Sequence, residues 1–360
     1  MIYLDYQATT PLAPEAFETM LPWLRDDFAN PHSAHAAGRK AKAAVEAARD
    51  AVAALLPSSG TLAFTSGATE ALNWAIKGTT GGIVTIATEH AAVLDTVEAE
   101  RAKGRAVTIL PVGADGLVDL DAARDVIMPG TGLVAAMLVN NEIGVIQPVA
   151  ELVALAHSAG ARMLCDAVQG YGRVGIPDGV DLVALSAHKV HGPKGIGALW
   201  VRDGVTLDPL MHGGGQEALG RSGTLSPALC AGFGVAARLM RERAERDVAH
   251  VEYLSALAIE RLSGWTLNGT PAQRYRGNLN LRLDGLDVAR LMSELRDIAF
   301  SAGSACASGS GRASHVLRAI GLSERQARSS IRIGFGRYMT EGELMSALDR
   351  IDAAAKAQRR

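Results

Sequence analysis

The strongest constraint in this chain is the regular exchange of short apolar runs with longer amphipathic stretches, because the two patterns demand different backbone periods. Apolar runs occur at Thr61–Thr65, Gly82–Ala87, Ala106–Leu110, Leu133–Val139, Arg162–Asp166, Leu182–Ser186 and Ile196–Val201. Helical periodicity fills the intervals at His35–Leu55, Thr69–Gly78, Ala91–Lys103, Asp119–Val126 and Val149–Ala159, followed by one long helix from Pro227 to Leu262. Runs apolar at consecutive positions read as strands buried on both faces. Joined through helices, they predict an α/β fold with a mainly parallel sheet between helices. Polar residues at the strand ends then converge on one crevice, where such sheets bind ligands. From about Val248 the texture changes to wider-spaced strands (Asn278–Leu283, Ile298–Ser301, Ser330–Gly334) between helices at Val288–Leu295, Ser314–Ile320 and Glu341–Lys356. This reads as a smaller α+β domain. The expected division is a large domain over 12–247 and a small one built from 1–11 and 248–360.

Composition narrows the function classes. With 360 residues, the chain is long enough for about two cores. No segment approaches the roughly 20 apolar residues of a membrane span. Its 36 basic residues are balanced by 38 acidic ones, so no global field exists to hold nucleic acid or an anionic membrane. The arginine-rich run Arg238–Arg246 alternates with Glu242 and Glu245 and reads as a solvated helix face. Cys165, Cys230 and Cys306 are too scattered for a disulfide framework, and His32 and His35 lack a third ligand, so no metal site is expected. The opening residues show no basic stretch followed by an apolar run, which makes the cytoplasm the expected compartment.

The residues able to do chemistry fall where that topology places a ligand. Lys189 follows an apolar run in Ser186-Ala187-His188-Lys189-Val190-His191-Gly192. A desolvated lysine among cationic neighbours loses its proton more readily than a free one of pKa about 10.4, and the neutral amine adds to an aldehyde cofactor. A surface lysine in a glycine-rich turn is the plain alternative. Asp166 ends another apolar run, where it either caps a helix or sets a carboxylate against the ring nitrogen of pyridoxal phosphate. Gln169, three positions on, offers an amide that could reach the ring hydroxyl of the same cofactor. Ser66-Gly67-Ala68-Thr69-Glu70 passes from strand to helix, so its backbone amides and the Thr69 hydroxyl suit a phosphate dianion. His90 offers an imidazole that stacks on a planar ring and exchanges protons near neutrality, or else a simple surface hydrogen bond. Cys306 sits in a loop of small residues, with little apolar bulk to bury it. That suits a nucleophile moving between substrate and acceptor, with Gly303, Gly309 and Gly311 freeing the backbone. Cys165 and Cys230 read as small core residues. Arg332, in a strand pattern, is either a structural ion pair or a bidentate grip on a substrate carboxylate.

In order along the chain, these segments resemble the cysteine desulfurases of the nitrogen-fixation and iron-sulfur-cluster type, within the class V aminotransferase group of fold type I pyridoxal-phosphate enzymes. The likeness runs nearly end to end. It also rests on Tyr3-Leu4-Asp5-Tyr6-Gln7-Ala8-Thr9-Thr10-Pro11, Asn30-Pro31-His32-Ser33, Asn140-Asn141-Glu142-Ile143-Gly144, Gly213-Gly214-Gly215-Gln216-Glu217 and Arg221-Ser222-Gly223-Thr224. The resemblance implies pyridoxal 5'-phosphate as cofactor, held by Lys189 as a Schiff base, with Asp166 at the pyridine nitrogen, Gln169 at the ring hydroxyl and His90 stacked on the ring. It places Asn141 near both ring and substrate. Ala68, Thr69, Ser186 and His188 are implied to hold the phosphate, joined by the partner subunit's Thr224 in a homodimer. Arg332 is implied to clamp the carboxylate of L-cysteine, and Cys306 to take the sulfur as a persulfide while alanine leaves. The Cys306 loop looks like that of the long-loop subgroup, which implies direct transfer to an iron-sulfur scaffold protein or another acceptor. Leu225-Ser226-Pro227 departs from the family pattern beside the implied dimer contact. A selenocysteine lyase or an aminotransferase on the same fold, and a non-catalytic sulfur relay, are the rival readings. The Cys306 loop argues against a plain aminotransferase, which needs no thiol. The conjunction of Lys189, Asp166, His90 and Cys306 argues against the relay.

Overall fold

A computed structural model describes residues 1–303 and 313–358. The expected sheet is present, with seven strands in the order Gly60–Thr65, Gly197–Arg202, Leu182–Ser186, Arg162–Asp166, Thr131–Met137, Gly82–Ile86, Val107–Leu110. Neighbours run parallel except at Gly197–Arg202, which is antiparallel to both its partners. The connection from Ser186 to Gly197 is too short for a helical crossover, so this strand can only return antiparallel. Strand Arg162–Asp166 shows why the apolar runs lacked alternation. Met163 and Cys165 enter one core and Leu164 the opposite one, so both faces are covered. On the first face helices Ala36–Ala53 and Pro227–Glu242 pack together, with Val45, Phe64 and Phe233 in the core there. Helices Ala68–Lys77 and Ala91–Ala102 close the other over Leu133 and Leu199. Cys165 and Cys230 are fully buried, and burial pushes both thiols up, which leaves them inert.

A second, antiparallel sheet has the order Ser301–Ala302, Ser330–Gly334, Asn278–Arg282, Thr266–Leu267. Leu279, Leu281, Ile331 and Ile333 from this sheet pack with Leu254, Leu344 and Ile351 from helices Ala244–Arg261 and Glu341–Ala357. Leu4 and Tyr6 join that core, and strand Ile2–Tyr3 pairs in parallel with Ile298–Ala299.

Two expectations need correction. The stretch from Pro227 to Leu262 is two helices, Pro227–Glu242 and Ala244–Arg261, broken at Arg243. No glycine or proline marks the break. Arg243 instead pairs with Glu15 at 2.6 Å, on a helix, Pro14–Arg25, that the sequence pattern did not reveal. The strand expected over Ile298–Ser301 is also two: Ile298–Ala299 pairs with the chain start and Ser301–Ala302 with Ser330–Gly334. In the arginine run, Arg238 and Glu242 form an i,i+4 pair at 3.8 Å, as a solvated face requires. The departing segment Leu225-Ser226-Pro227 begins a helix in an ordinary way. Ser226 accepts the Leu229 N–H, a cap worth about 1 kcal/mol, and Pro227 occupies the first turn, where no N–H is needed. Among the described residues no helix is long and apolar enough to cross a membrane.

Candidate active site

The carboxyl ends of the parallel strands open on a cavity of about 600 Å³. Strand Arg162–Asp166 ends there in Asp166. Strand Leu182–Ser186 runs into a single 3-10 turn, Ala187–Lys189, which sets His188 and Lys189 on the wall. The turn after Gly60–Thr65 brings the start of helix Ala68–Lys77, and His90 caps helix Ala91–Ala102 beside it. The cavity thus gathers Ala68, Thr69, His90, Asn141, Asp166, Gln169, Ser186, His188, Lys189 and Arg332. Thr224 does not line it within one chain. Cys306 lies outside the described residues.

Each polar group is held by identifiable partners. Lys189 Nζ donates to the carbonyls of Gln7 at 2.5 Å and Ala8 at 2.8 Å. Gln169 Nε2 donates to the same Gln7 oxygen at 2.9 Å. Asp166 is buried, and its Oδ1 accepts the Val168 N–H at 2.9 Å. Burial raises its carboxyl above the usual range, opposed by that hydrogen bond and by the charges of His90 and Lys189. A cation placed against it would favour the carboxylate further. His90 Nδ1 accepts the Ala92 N–H at 3.0 Å, so the neutral ring carries its proton on Nε2. Burial holds this imidazole below its ordinary value, and the charges of Lys189 and His315 add to the effect while Asp166 opposes it. Burial, together with Lys189 and Lys194, pushes His188 down to about 4. Arg332 Nη2 pairs with Asp5 Oδ1 at 2.7 Å, and Nη1 donates to the Asn141 carbonyl at 3.1 Å.

The donor set has two poles. At one, the free amides of a helix start, Thr69 and buried Ser186 suit an anion. A Cβ on Gly67 would meet nothing within 4 Å, so the turn leaves room for a ligand to approach the backbone. At the other, buried Asp166 suits a protonated ring nitrogen, with a primary amine on Lys189 in the same cavity. Sequence reasoning gave no role to Asp5, Gln7, Ala8 or Thr9, although they stand in a quoted motif. They line or brace the cavity through contacts that no local periodicity signals.

Residues 2–346 match the class-V aminotransferase family. The chain belongs to that family. Among class-V relatives, it is 44% identical to the probable mitochondrial cysteine desulfurase of Schizosaccharomyces pombe, over 97% of this chain and 73% of that protein. It is 43% identical to the cysteine desulfurase IscS of Rickettsia rickettsii, over 97% of this chain and 90% of that protein. A solved NifS-like protein superposes with a TM-score of 0.91 at 32% identity, covering 99% of both chains.

Proposed function

We propose that this chain is a cysteine desulfurase, which takes sulfur from L-cysteine, releases L-alanine and leaves a persulfide on Cys306 for an acceptor. The observation that carries the reading is the gathering of Lys189, Asp166, His90 and Arg332 on one cavity, in a chain 43% identical to a named cysteine desulfurase. Pyridoxal 5'-phosphate fits the two poles: Ala68, Thr69, Ser186 and His188 would hold its phosphate, Asp166 its ring nitrogen, Gln169 its hydroxyl, with Asn141 and His90 beside the ring. When bound, it supplies an aldehyde that takes up amines and a ring that withdraws electrons from a neighbouring carbon.

The remaining roles belong to the chain's own groups. Lys189 would anchor the cofactor, and its amine, in the same cavity, is placed to move the substrate's α-proton. The carbonyls of Gln7 and Ala8 accept N–H from either protonation state of that amine, so the lysine is held in place as it exchanges protons. His90 rests with its proton on Nε2 and is therefore first a donor, able to take a proton only after passing that one on. A free thiol, of pKa about 8.5, is only a few per cent ionised at neutral pH, so attack by a thiol on the substrate sulfur is coupled to proton removal. In this reading 12–247 form the cofactor-binding domain and 1–11 with 248–360 the domain carrying the thiol. The protein acts in the cytoplasm as a homodimer in which the partner subunit's Thr224 completes the phosphate site, and an iron-sulfur scaffold is the natural acceptor. The test is alanine and protein-bound persulfide after adding L-cysteine to cofactor-loaded wild type and Cys306→Ala. Wild type is expected to make both, and the variant neither, while keeping its cofactor absorbance. Sustained alanine release by the variant would remove Cys306 from the reaction, and silence from both proteins would remove the desulfurase reading.

A further inference from the structure

The chain start is anchored to the small sheet before it reaches the cavity. Leu4 N donates to Ala299 O at 2.7 Å, Gly334 N donates to Leu4 O at 2.8 Å, and Gln7 Nε2 donates to Gly277 O at 2.8 Å. From this fixed segment Asp5 turns its carboxylate to Arg332. Its Oδ1 accepts Nη2 at 2.7 Å and the Ser301 hydroxyl at 2.9 Å, while Ser301 Oγ also lies 3.3 Å from Nη2. The Arg332 side chain is 1% exposed, against 19% for Asp5. Its Nε is buried and has no partner among the described residues.

A guanidinium is planar, so fixing two of its nitrogens fixes the direction of every remaining N–H. We propose that Asp5 is a positioning residue for substrate recognition: with Ser301 it holds Nη2 of Arg332 and so aims the remaining donors at the carboxylate of the incoming amino acid. The inference rests on the reading of Arg332 as the carboxylate site. It goes further in assigning recognition of that one group to a residue that does not itself touch the substrate. Asp5 also supplies the countercharge that a buried arginine needs between turnovers.

The test separates the carboxylate from the rest of the ligand. Cofactor-loaded protein in a Cys306→Ala background, where sulfur removal is blocked, is titrated by cofactor absorbance with L-cysteine and with cysteamine, which has the same amine and thiol but no carboxylate. Asp5→Ala is expected to raise the half-saturating L-cysteine concentration about tenfold, the weight of one charge-assisted hydrogen bond, and to leave cysteamine within about twofold. Asp5→Asn keeps an uncharged acceptor and is expected to lose about threefold for L-cysteine alone, as is Ser301→Ala. These two milder variants give the same reading if Asp5→Ala fails to fold. Unchanged L-cysteine binding, or equal weakening of both ligands, would overturn the proposal and leave Asp5 a structural residue. Selective weakening in a protein whose wild type binds L-cysteine yet releases no alanine would uphold Asp5 while refuting desulfuration, so the two failures are distinguishable.

Discussion

Gly197 opens the antiparallel strand Gly197–Arg202 and stands opposite Thr65 on one side and Ser186 on the other. A methyl group added there lies 2.4 Å from the Leu185 carbonyl oxygen and 2.7 Å from the Cα and carbonyl carbon of Gly67. Ordinary contact begins near 3.4 Å, so the Gly67 turn must retreat by about 0.7 Å. The obstructing atoms are all backbone, and Leu185 is pinned in the sheet, so no flexible side chain can swing aside. Overpacking of this kind costs about 1–3 kcal/mol. Gly67 immediately precedes Ala68 and Thr69, so its retreat displaces the amides of the proposed phosphate site. Gly197→Ala is therefore expected to weaken pyridoxal phosphate binding about tenfold, equivalent to about 1.4 kcal/mol, and to lower the melting temperature by a few degrees. Pyridoxal, which lacks the phosphate, should be affected much less. Absorbance titration with both aldehydes and a thermal melt measure the three quantities. Unchanged phosphate-ester affinity in a protein of unchanged stability would refute the steric reasoning. An equal loss for both aldehydes would show that the turn does not serve the phosphate end.

Three further outcomes follow from the same geometry. Asp166→Asn keeps an oxygen for the Val168 N–H but loses the charge, and turnover is expected to fall about a hundredfold or more; near-normal turnover would remove Asp166 from the ring nitrogen. His191 is held down to about 3, chiefly by burial, against about 6.5 in an unfolded chain. Below about pH 6.5 the unfolded chain therefore takes up a proton that the folded one refuses, and stability falls with pH by up to about 1.4 kcal/mol per unit. His188, held near 4, acts in the same direction. His191→Asn, whose new side chain tolerates the local φ of 67°, should remove one proton from the slope of unfolding free energy against pH; denaturant titrations giving an unaltered slope would count against it. Cys306→Ala should leave the melting temperature and cofactor affinity within error of wild type, since the sequence around it is of small residues with little apolar bulk to bury a thiol. A large loss of stability would assign Cys306 a structural role instead.

The placement of the strand-end residues was legible because it is local. Strands Arg162–Asp166 and Leu182–Ser186 begin and end where their apolar runs do, so Asp166 and Lys189 could be assigned to one crevice before any tertiary contact was known. The alternation of runs and amphipathic stretches carried the parallel sheet in the same way, since burial on both faces leaves a continuous apolar record in the chain. Other features left no such record. No glycine or proline signals the break at Arg243, and the ion pair that Arg243 makes there is with Glu15, more than two hundred positions away. The bracing of Lys189 by Gln7 spans 182 positions and that of Arg332 by Asp5 spans 327, far beyond the reach of any local pattern. Local backbone preference decides what each segment becomes, and so the sequence by itself determined the layers of the fold and the residues able to do chemistry. Which cation meets which carbonyl or carboxylate depends on distances between residues far apart in the chain, set only once the whole fold has formed, and the tertiary structure alone decided that.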